Sequence, residues 1–441
     1  MDVSGRRVTL MGLGCHGGGI GAARYLAGNG AVLTVTDLRP REALTSALSA
    51  LDDLADIRYV LGGHDESAFR NAELIVVNPA VRPDNPWLQR AAEADIPLTS
   101  EIELLLRAVD CHTAVVTGSN GKSTTASMLA AILAADGRQV HLGGNLGGSL
   151  LASVDKIERD DWMVLELSSF QLDRLPLDAA RLEVVVVTGC TANHLDWHPT
   201  LVDYHRAKQR ALQMLASNGT AVLNTWDSEV AGWQRLVRDR WSPPAALADV
   251  PPLKVPGRHN RHNAACAAAA AVAAGVQPAV VRRALLEFTG LPHRLDRIAT
   301  VAGRTFIDDS SATTPEATAA ALDSVAQPVW LLLGGRAKGS SWATLVSALS
   351  ENVRGVACYG EAAAELADTV REARRALNVR VCDDMPTAMR WCFASSAPGH
   401  SIMLSPACAS SDQFSNYVER AKTFHRLIDE IALPEGAQAL A

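Results

Sequence analysis

Thr117–Thr125 reads TGSNGKSTT, and the fold follows from how this stretch is read. An apolar, strand-like run, Thr113–Val116, leads into it, and a helix-like run continues through Met128 to Ala135. A strand, a tight Gly-containing turn and a helix N-terminus together make an anion cradle. Unpaired N–H groups and the helix dipole point at the anion, and glycine lets the backbone approach it closely. Lys122 adds a point charge for terminal phosphates, and Ser123 or Thr124 a hydroxyl for Mg²⁺. Only Ser119 and Asn120 separate Gly118 from Gly121, where the general phosphate-loop motif has four residues. An ordinary turn capping a helix is the bland alternative. The order strand, turn, Lys-Ser-Thr, helix favours a phosphate site.

The chain has 441 residues, long enough for two or three domains, each able to bury its own core. Hydrophobic residues make up 48% and charged residues 20%, the balance of a globular protein. Lys and Arg total 41 against 48 Asp and Glu, so the net charge is −7 and nothing points to nucleic acid or an anionic membrane. The eight cysteines occur singly with no C-x-x-C pair, which argues against a zinc or redox motif and for reduced, buried thiols. No run reaches the roughly 20 apolar residues that cross a bilayer, and MDVSGRRVTLMG lacks a signal-peptide layout. A cytoplasmic protein without membrane insertion is therefore expected.

Strand-like and helix-like runs alternate through three segments, the pattern of α/β sheets. The first opens with the strand Arg7–Met11, then GLGCHG at Gly12–Gly17, a helix-like run, and a strand Ala31–Thr36 before Asp37. This is a G-x-G-x-x-G unit with a following acid, which serves NAD or any other pyrophosphate, a UDP-sugar included. In the second, the strand Trp162–Leu165 meets Glu166, and the strand Glu183–Thr188 leads to Asn193-His194-Leu195-Asp196. Acid and imidazole at strand C-termini lie where open α/β sheets bind ligands. The third holds Thr305–Ile307 before Asp308-Asp309, and Val329–Leu333 before Gly334-Gly335.

Taken in order, these motifs resemble the Mur ligases, most closely the MurD type, over essentially the whole chain. The carriers are TGSNGKSTT, GGNLG (143–147), ELSSFQL (166–172), NHLDWH (193–198) and YHRAKQR (204–210). They continue with HNRHNA (259–264), GLPHRL (290–295), DDSSATTPEA (308–317), GGRAKG (334–339) and LSPACASSDQF (404–414). The resemblance implies an α/β fold of three domains. These are a Rossmann-like UDP-substrate-binding domain over 1–104, a P-loop ATPase-like catalytic domain over 105–290, and a Rossmann-like amino-acid-binding domain over 291–441. It implies an ATP-dependent ligase of peptidoglycan synthesis that joins glutamate to UDP-N-acetylmuramoyl-L-alanine through an acyl phosphate. ATP and two Mg²⁺ ions are the implied cofactors, and a monomer is expected.

By the same resemblance, Lys122, Glu166, His194 and Lys208 are the catalytic set. Ser123, Glu166, His194 and Lys208 are the metal ligands, the last as a lysine carbamate. Carbamate formation needs a neutral amine, so Lys208 should have a depressed pKa in a partly buried cationic site. ATP falls to Gly118, Ser119, Asn120, Gly121, Lys122, Ser123 and Thr124, with Asn260, Asn263, Arg294 and Asp309. The UDP-substrate falls to Cys15, His16, Asp37, Leu38, Arg39, Asn78, Asn145 and His194, and glutamate to Thr313, Lys338, Ser410 and Tyr417. Taken singly, these residues have plainer readings. Glu166 suits a strand-end ion pair, His194 a surface or core histidine, Lys208 a solvated helix lysine, and Lys338 a loop lysine. Asn260 and Asn263 suit helix capping, and Trp197 and Tyr204 packing.

One stretch departs from the family pattern. Where D-S-K-A-T-N is common, this chain has Asp309-Ser310-Ser311-Ala312-Thr313-Thr314, so a lysine and an asparagine are missing. D-glutamate is the expected acceptor and L-glutamate the alternative. Another ligase of the Mur and folylpolyglutamate synthase group is a second alternative. An NAD oxidoreductase leaves TGSNGKSTT without a role, and a nucleotide-binding regulator leaves the metal-ligand set without one.

Overall fold

Continuous apolar runs form the central strands, such as Leu74–Val77, Trp162–Glu166 and Val329–Gly334, as parallel sheets covered on both faces require. The structure, a computed structural model, describes residues 2–14, 17–146, 148–191, 197–339 and 341–432. The first sheet contains β1 (Arg7–Met11), β2 (Val32–Asp37), β3 (Arg58–Leu61), β4 (Leu74–Val77) and β5 (Leu98–Thr99), in the order β3-β2-β1-β4-β5. The second contains β6 (His112–Thr117), β7 (Val140–Gly144), β8 (Trp162–Glu166), β9 (Leu182–Val187), β10 (Leu215–Leu223) and β11 (Trp241–Ser242), in the order β11-β10-β9-β6-β8-β7. Pairing within both is parallel. The third contains β12 (Asp296–Val301), β13 (Arg304–Asp308), β14 (Val329–Gly334), β15 (Val353–Tyr359), β16 (Asn378–Cys382) and β17 (Ser401–Leu404), in the order β12-β13-β17-β14-β15-β16. Only β12 runs antiparallel to its neighbour there.

The chain divides into two compact units, 1–251 with 263–285, and 252–262 with 286–441. The first unit carries the first two sheets, and a single apolar core runs through both, joining Leu10, Ala22 and Val35 to Val115, Leu165 and Leu182. The contact is close because Gly21 has no side chain: a Cβ there would run into Ser149. The first sheet has in addition a core of its own residues, Met11, Phe69, Ile75, Val77 and Leu88 among them. In the second unit the period-2 alternation of strands separates two apolar layers. Ile307, Leu331 and Val356 face one, and Phe306, Leu332 and Ile402 the other.

Three helices position the loops, the first of them expected from the sequence. Lys122–Ala135 begins directly after Gly121, which sits at a positive φ of 80°. Leu201–Gln213 is capped by Thr200, whose hydroxyl accepts from Asp203 N at 3.2 Å. A Ser168–Gln171 capping box opens Ser169–Arg174.

Candidate active site

β6 lies between β9 and β8, so the chain leaves its C-terminal end at the point where strand order reverses, the usual place for a ligand in an open α/β sheet. The loop Gly118–Gly121 occupies that point and is held from several sides. Ser119 N donates to Gly189 O at 2.8 Å, and Thr188 Oγ1 donates to Asn120 O at 2.6 Å. Ser119 Oγ donates to Thr191 O at 2.9 Å and lies 2.8 Å from Tyr204 Oη. Its proton being committed to Thr191, Tyr204 is the donor. Two glycines are dictated by geometry. A Cβ on Gly118, at φ 148°, would overlap Thr188 Oγ1, and one on Gly121 would overlap the amide of Asn263.

Lys122, Glu166 and Lys208 converge on this loop. Lys122 Nζ donates to Ser119 O at 2.9 Å, and Lys208 Nζ to Gly118 O at 2.7 Å. Lys208 is only 1% exposed, and its ammonium stands 4.7 Å over the Tyr204 ring. Burial, and then the charge of Lys122, hold its pKa well below the usual 10.5, the direction expected from the sequence. Glu166 ends β8 and is equally enclosed. Its Oε1 accepts from Asn145 Nδ2 at 2.9 Å, while its Oε2 is buried with no hydrogen-bond partner among the described residues. An orphaned carboxylate oxygen at the end of β8 and the hydroxyl of Ser123 in the first turn of the helix Lys122–Ala135 are oxygen donors that fit a hard cation such as Mg²⁺. Gly144, at φ 86°, lets the chain turn tightly against Glu166 so that Asn145 reaches it.

In the first sheet, an acid and an amide hold Gly12 and Gly14 just after β1. Asp37 accepts from Gly14 N at 3.0 Å and from Arg39 N at 2.9 Å. Asn78 Nδ2 donates to Gly12 O at 3.0 Å, and its Oδ1 accepts from Ala80 N at 3.0 Å. These side chains thus shape the cradle first. Leu38 is 66% exposed beside them. Asn145, assigned from sequence to the UDP-substrate, is bonded to Glu166 in the second sheet.

The second unit carries the remaining candidates, Asp309, Lys338 and Ser410 in the segments that follow β13, β14 and β17. Asp309 is buried and takes hydrogen bonds from Leu295 N at 3.1 Å and Ser405 Oγ at 2.7 Å; burial raises its pKa to about 7. Lys338 Nζ donates to Thr313 Oγ1 at 2.9 Å, which joins two of the four glutamate candidates. Ser410 is buried and Tyr417 begins the helix Tyr417–Ala432. Thr314 caps the helix Pro315–Leu322, and Ser311 Oγ is buried without a partner among the described residues. Asn260 donates to Pro256 O at 2.7 Å, and Arg294 lies in the turn before β12. Cys15, His16 and His194 lie outside the described residues.

Sequence reasoning passed over several residues. Tyr204, read as packing, holds Ser119. Thr188 braces Asn120, and Asp227 Oδ2 accepts from Cys190 N at 2.8 Å, holding Cys190 after β9. Tyr204 four residues before Lys208 puts both on one helix face, the signal that was available. Thr188 and Asp227 carried none. Arg420 was also passed over. It is fully buried, and its guanidinium donates to Ser310 O at 2.8 Å and Cys408 O at 3.1 Å.

Three family models match in order along the chain: the Mur ligase MurD-like N-terminal domain over residues 6–100, the Mur ligase middle domain over 116–245, and the Mur ligase glutamate ligase domain over 293–408. The chain belongs to the Mur ligase family, a family of ATP-dependent amide ligases. Among its relatives is the UDP-N-acetylmuramoylalanine–D-glutamate ligase of Koribacter versatilis, 34% identical over 460 residues, covering 99% of this chain and 100% of that protein. The ligase of the same name from Anaeromyxobacter dehalogenans is 36% identical, covering 98% and 99%. The fold is also that of UDP-N-acetylmuramate-alanine ligase from Thermotoga maritima, at a TM-score of 0.65, 18% identity, and 96% and 99% coverage.

Proposed function

We propose that this chain adds D-glutamate to UDP-N-acetylmuramoyl-L-alanine, converting ATP to ADP and phosphate, as a cytoplasmic monomer in peptidoglycan synthesis. The observation that carries the reading is the convergence of Lys122, Glu166 and Lys208 on the loop Gly118–Gly121. A carboxylate cannot expel oxide, so it must first be activated. Its oxygen attacks the γ-phosphorus of ATP, the bond to ADP breaks, and an acyl phosphate forms. The glutamate amine then attacks the acyl carbon, loses its proton, and phosphate leaves with the bonding pair. Such transfer depends on positioning and charge neutralisation.

The loop N–H groups and Lys122 would bind the phosphates. Ser123, Glu166, His194 and Lys208 would hold two Mg²⁺, which supply charge neutralisation on the transferring phosphoryl group. Lys208 would serve as its carbamate, formed when its neutral amine adds to CO₂ and releases one proton. The lowered pKa supports this. Asn260, Asn263, Arg294 and Asp309 are proposed for the rest of ATP. Cys15, His16, Asp37, Leu38, Arg39, Asn78 and Asn145 are proposed for the UDP-substrate, and Thr313, Lys338, Ser410 and Tyr417 for glutamate. The domain limits 1–104, 105–290 and 291–441 belong to the same proposal. The acceptor is taken as D-glutamate because the relatives bear it in their names.

Substrate carrying ¹⁸O in its carboxylate tests the chemistry. Passage of one ¹⁸O into the released phosphate is expected. Phosphate free of label, with product still formed, would overturn the acyl phosphate.

A further inference from the structure

A histidine from the turn before β12, an aspartate ending β13 and a histidine from the last described helix meet at one point. His293 Nδ1 lies 2.7 Å and His425 Nε2 2.8 Å from the same oxygen of Asp308, Oδ2. All three ligating atoms lie within 4.8 Å of one another. The other oxygen, Oδ1, is occupied by Ser310 N at 2.9 Å. Asp308 is wholly buried, while the His293 and His425 side chains are 19% and 37% exposed. The cluster is therefore closed behind the carboxylate and open on the imidazole side. His293 also holds a left-handed φ of 66°, uncommon for a residue with a side chain, and its carbonyl accepts from Ser311 N at 3.2 Å. Such conformations concentrate at ligand sites. None of the three carries a role in the proposed reaction, although the His293 ring stands edge-on to that of Tyr417, a glutamate candidate, at 6.2 Å.

We propose that His293, Asp308 and His425 form a binding site for a divalent transition metal of the zinc class. Two imidazole nitrogens and one carboxylate oxygen are the ligand set such ions prefer, with a fourth position left for water. Ligand distances of about 2.0–2.2 Å place tetrahedral ligand atoms about 3.3 Å apart. The two N···O contacts open by about half an ångström, and the imidazoles close on each other by rotation of the partly exposed His425. A bound ion would pin the helix Tyr417–Ala432, which begins at a glutamate candidate, to the end of β13. Its test reads metal binding and stability rather than activity, so its failure is distinguishable from failure of the proposed reaction.

The full chain, stripped with a chelator, is titrated with Co²⁺ and with Zn²⁺. One tightly bound Co²⁺ is expected, with the visible bands of a four-coordinate nitrogen–oxygen site and no thiolate charge-transfer band. Glu166→Gln retains it. His425→Ala weakens it by more than about 100-fold, because even an outer-shell partner of a metal ligand costs about 10- to 100-fold. Zn²⁺ raises the melting temperature of the parent chain and not of the variant. If His425→Ala does not fold, His425→Gln is read the same way. Equal binding by parent and variant, or only a weak six-coordinate spectrum at millimolar Co²⁺, overturns the proposal and leaves a hydrogen-bonded triad.

Discussion

Gly121→Ala and Gly137→Ala separate backbone strain from steric interference within one helix. Both glycines flank Lys122–Ala135, and both hold a left-handed backbone, φ 80° and 86°. A side chain in that conformation costs about 1–2 kcal/mol. For a unit of this size each kcal/mol lowers the melting temperature by about 2–4 °C. Around Gly137 a Cβ meets nothing within 4 Å, so strain is the whole effect. At Gly121 the Cβ lies 3.1 Å from Asn263 Cγ and closer still to its Oδ1. That amide ends a side chain, so it swings away at little further cost in stability. The displacement, on the order of 1 Å, falls on a candidate ATP contact, and a shift of that size lowers rate by about 100-fold. Thermal melts and phosphate release against ATP concentration are the assays. Both variants should lose similar stability, and only Gly121→Ala should lose ATP-dependent kcat/KM. Equal activity in the two would refute the argument that Asn263 is held in place by the absence of a Cβ at 121.

Glu166→Gln keeps the Asn145 hydrogen bond and removes the charge beside the orphaned oxygen. Turnover should drop about 10²- to 10³-fold, as for loss of one charge-stabilising group, with an unchanged melting temperature; near-parental turnover across a Mg²⁺ titration would contradict this. Lys208→Met should abolish turnover in bicarbonate-supplemented buffer while the chain still melts cooperatively, and a variant as active as the parent would remove Lys208 from the chemistry. Arg420→Met leaves the carbonyls of Ser310 and Cys408 without their charged donor. A loss of about 2–3 kcal/mol and a raised KM for glutamate are expected in denaturation and steady-state assays, and no change in either would show that other groups hold these loops. Asp309, raised from 3.8 to about 7 by burial, binds a proton in the folded state that the unfolded chain has released. Stability should therefore fall as pH rises from about 4 to about 7, and Asp309→Asn should flatten that slope in a pH series of denaturation curves; an identical slope in the variant would assign it elsewhere.

The phosphate loop was legible because its chemistry is local. Strand, turn, lysine and helix follow one another within 25 residues, from Thr113 to Ala135 or so, and each constrains the next. Apolar runs gave the strands for the same reason, with ends shifted by a residue or two, as at Leu182–Val187. Lys208 was legible only through its pattern. Its burial and its bond to Gly118 O depend on a partner 90 residues away. Asp37 and Asn78 were read from the sequence as UDP-substrate residues, but a sequence does not say that their oxygens and amide are already taken by backbone groups. His293, Asp308 and His425 share no spacing at all; only the folded sheet brings them together. Arg420 was a missed opportunity. It lies four residues before Phe424 and seven before Leu427, on the helix face that is buried, so periodicity alone argued that it is enclosed.

The most direct test of the central claim is the mass of the product made from UDP-N-acetylmuramoyl-L-alanine and ATP with D- or L-glutamate. The account predicts one added glutamyl residue with D-glutamate, in step with phosphate release, and little with L-glutamate. Product from L-glutamate alone, or ATP hydrolysis with no added mass from either, would contradict it.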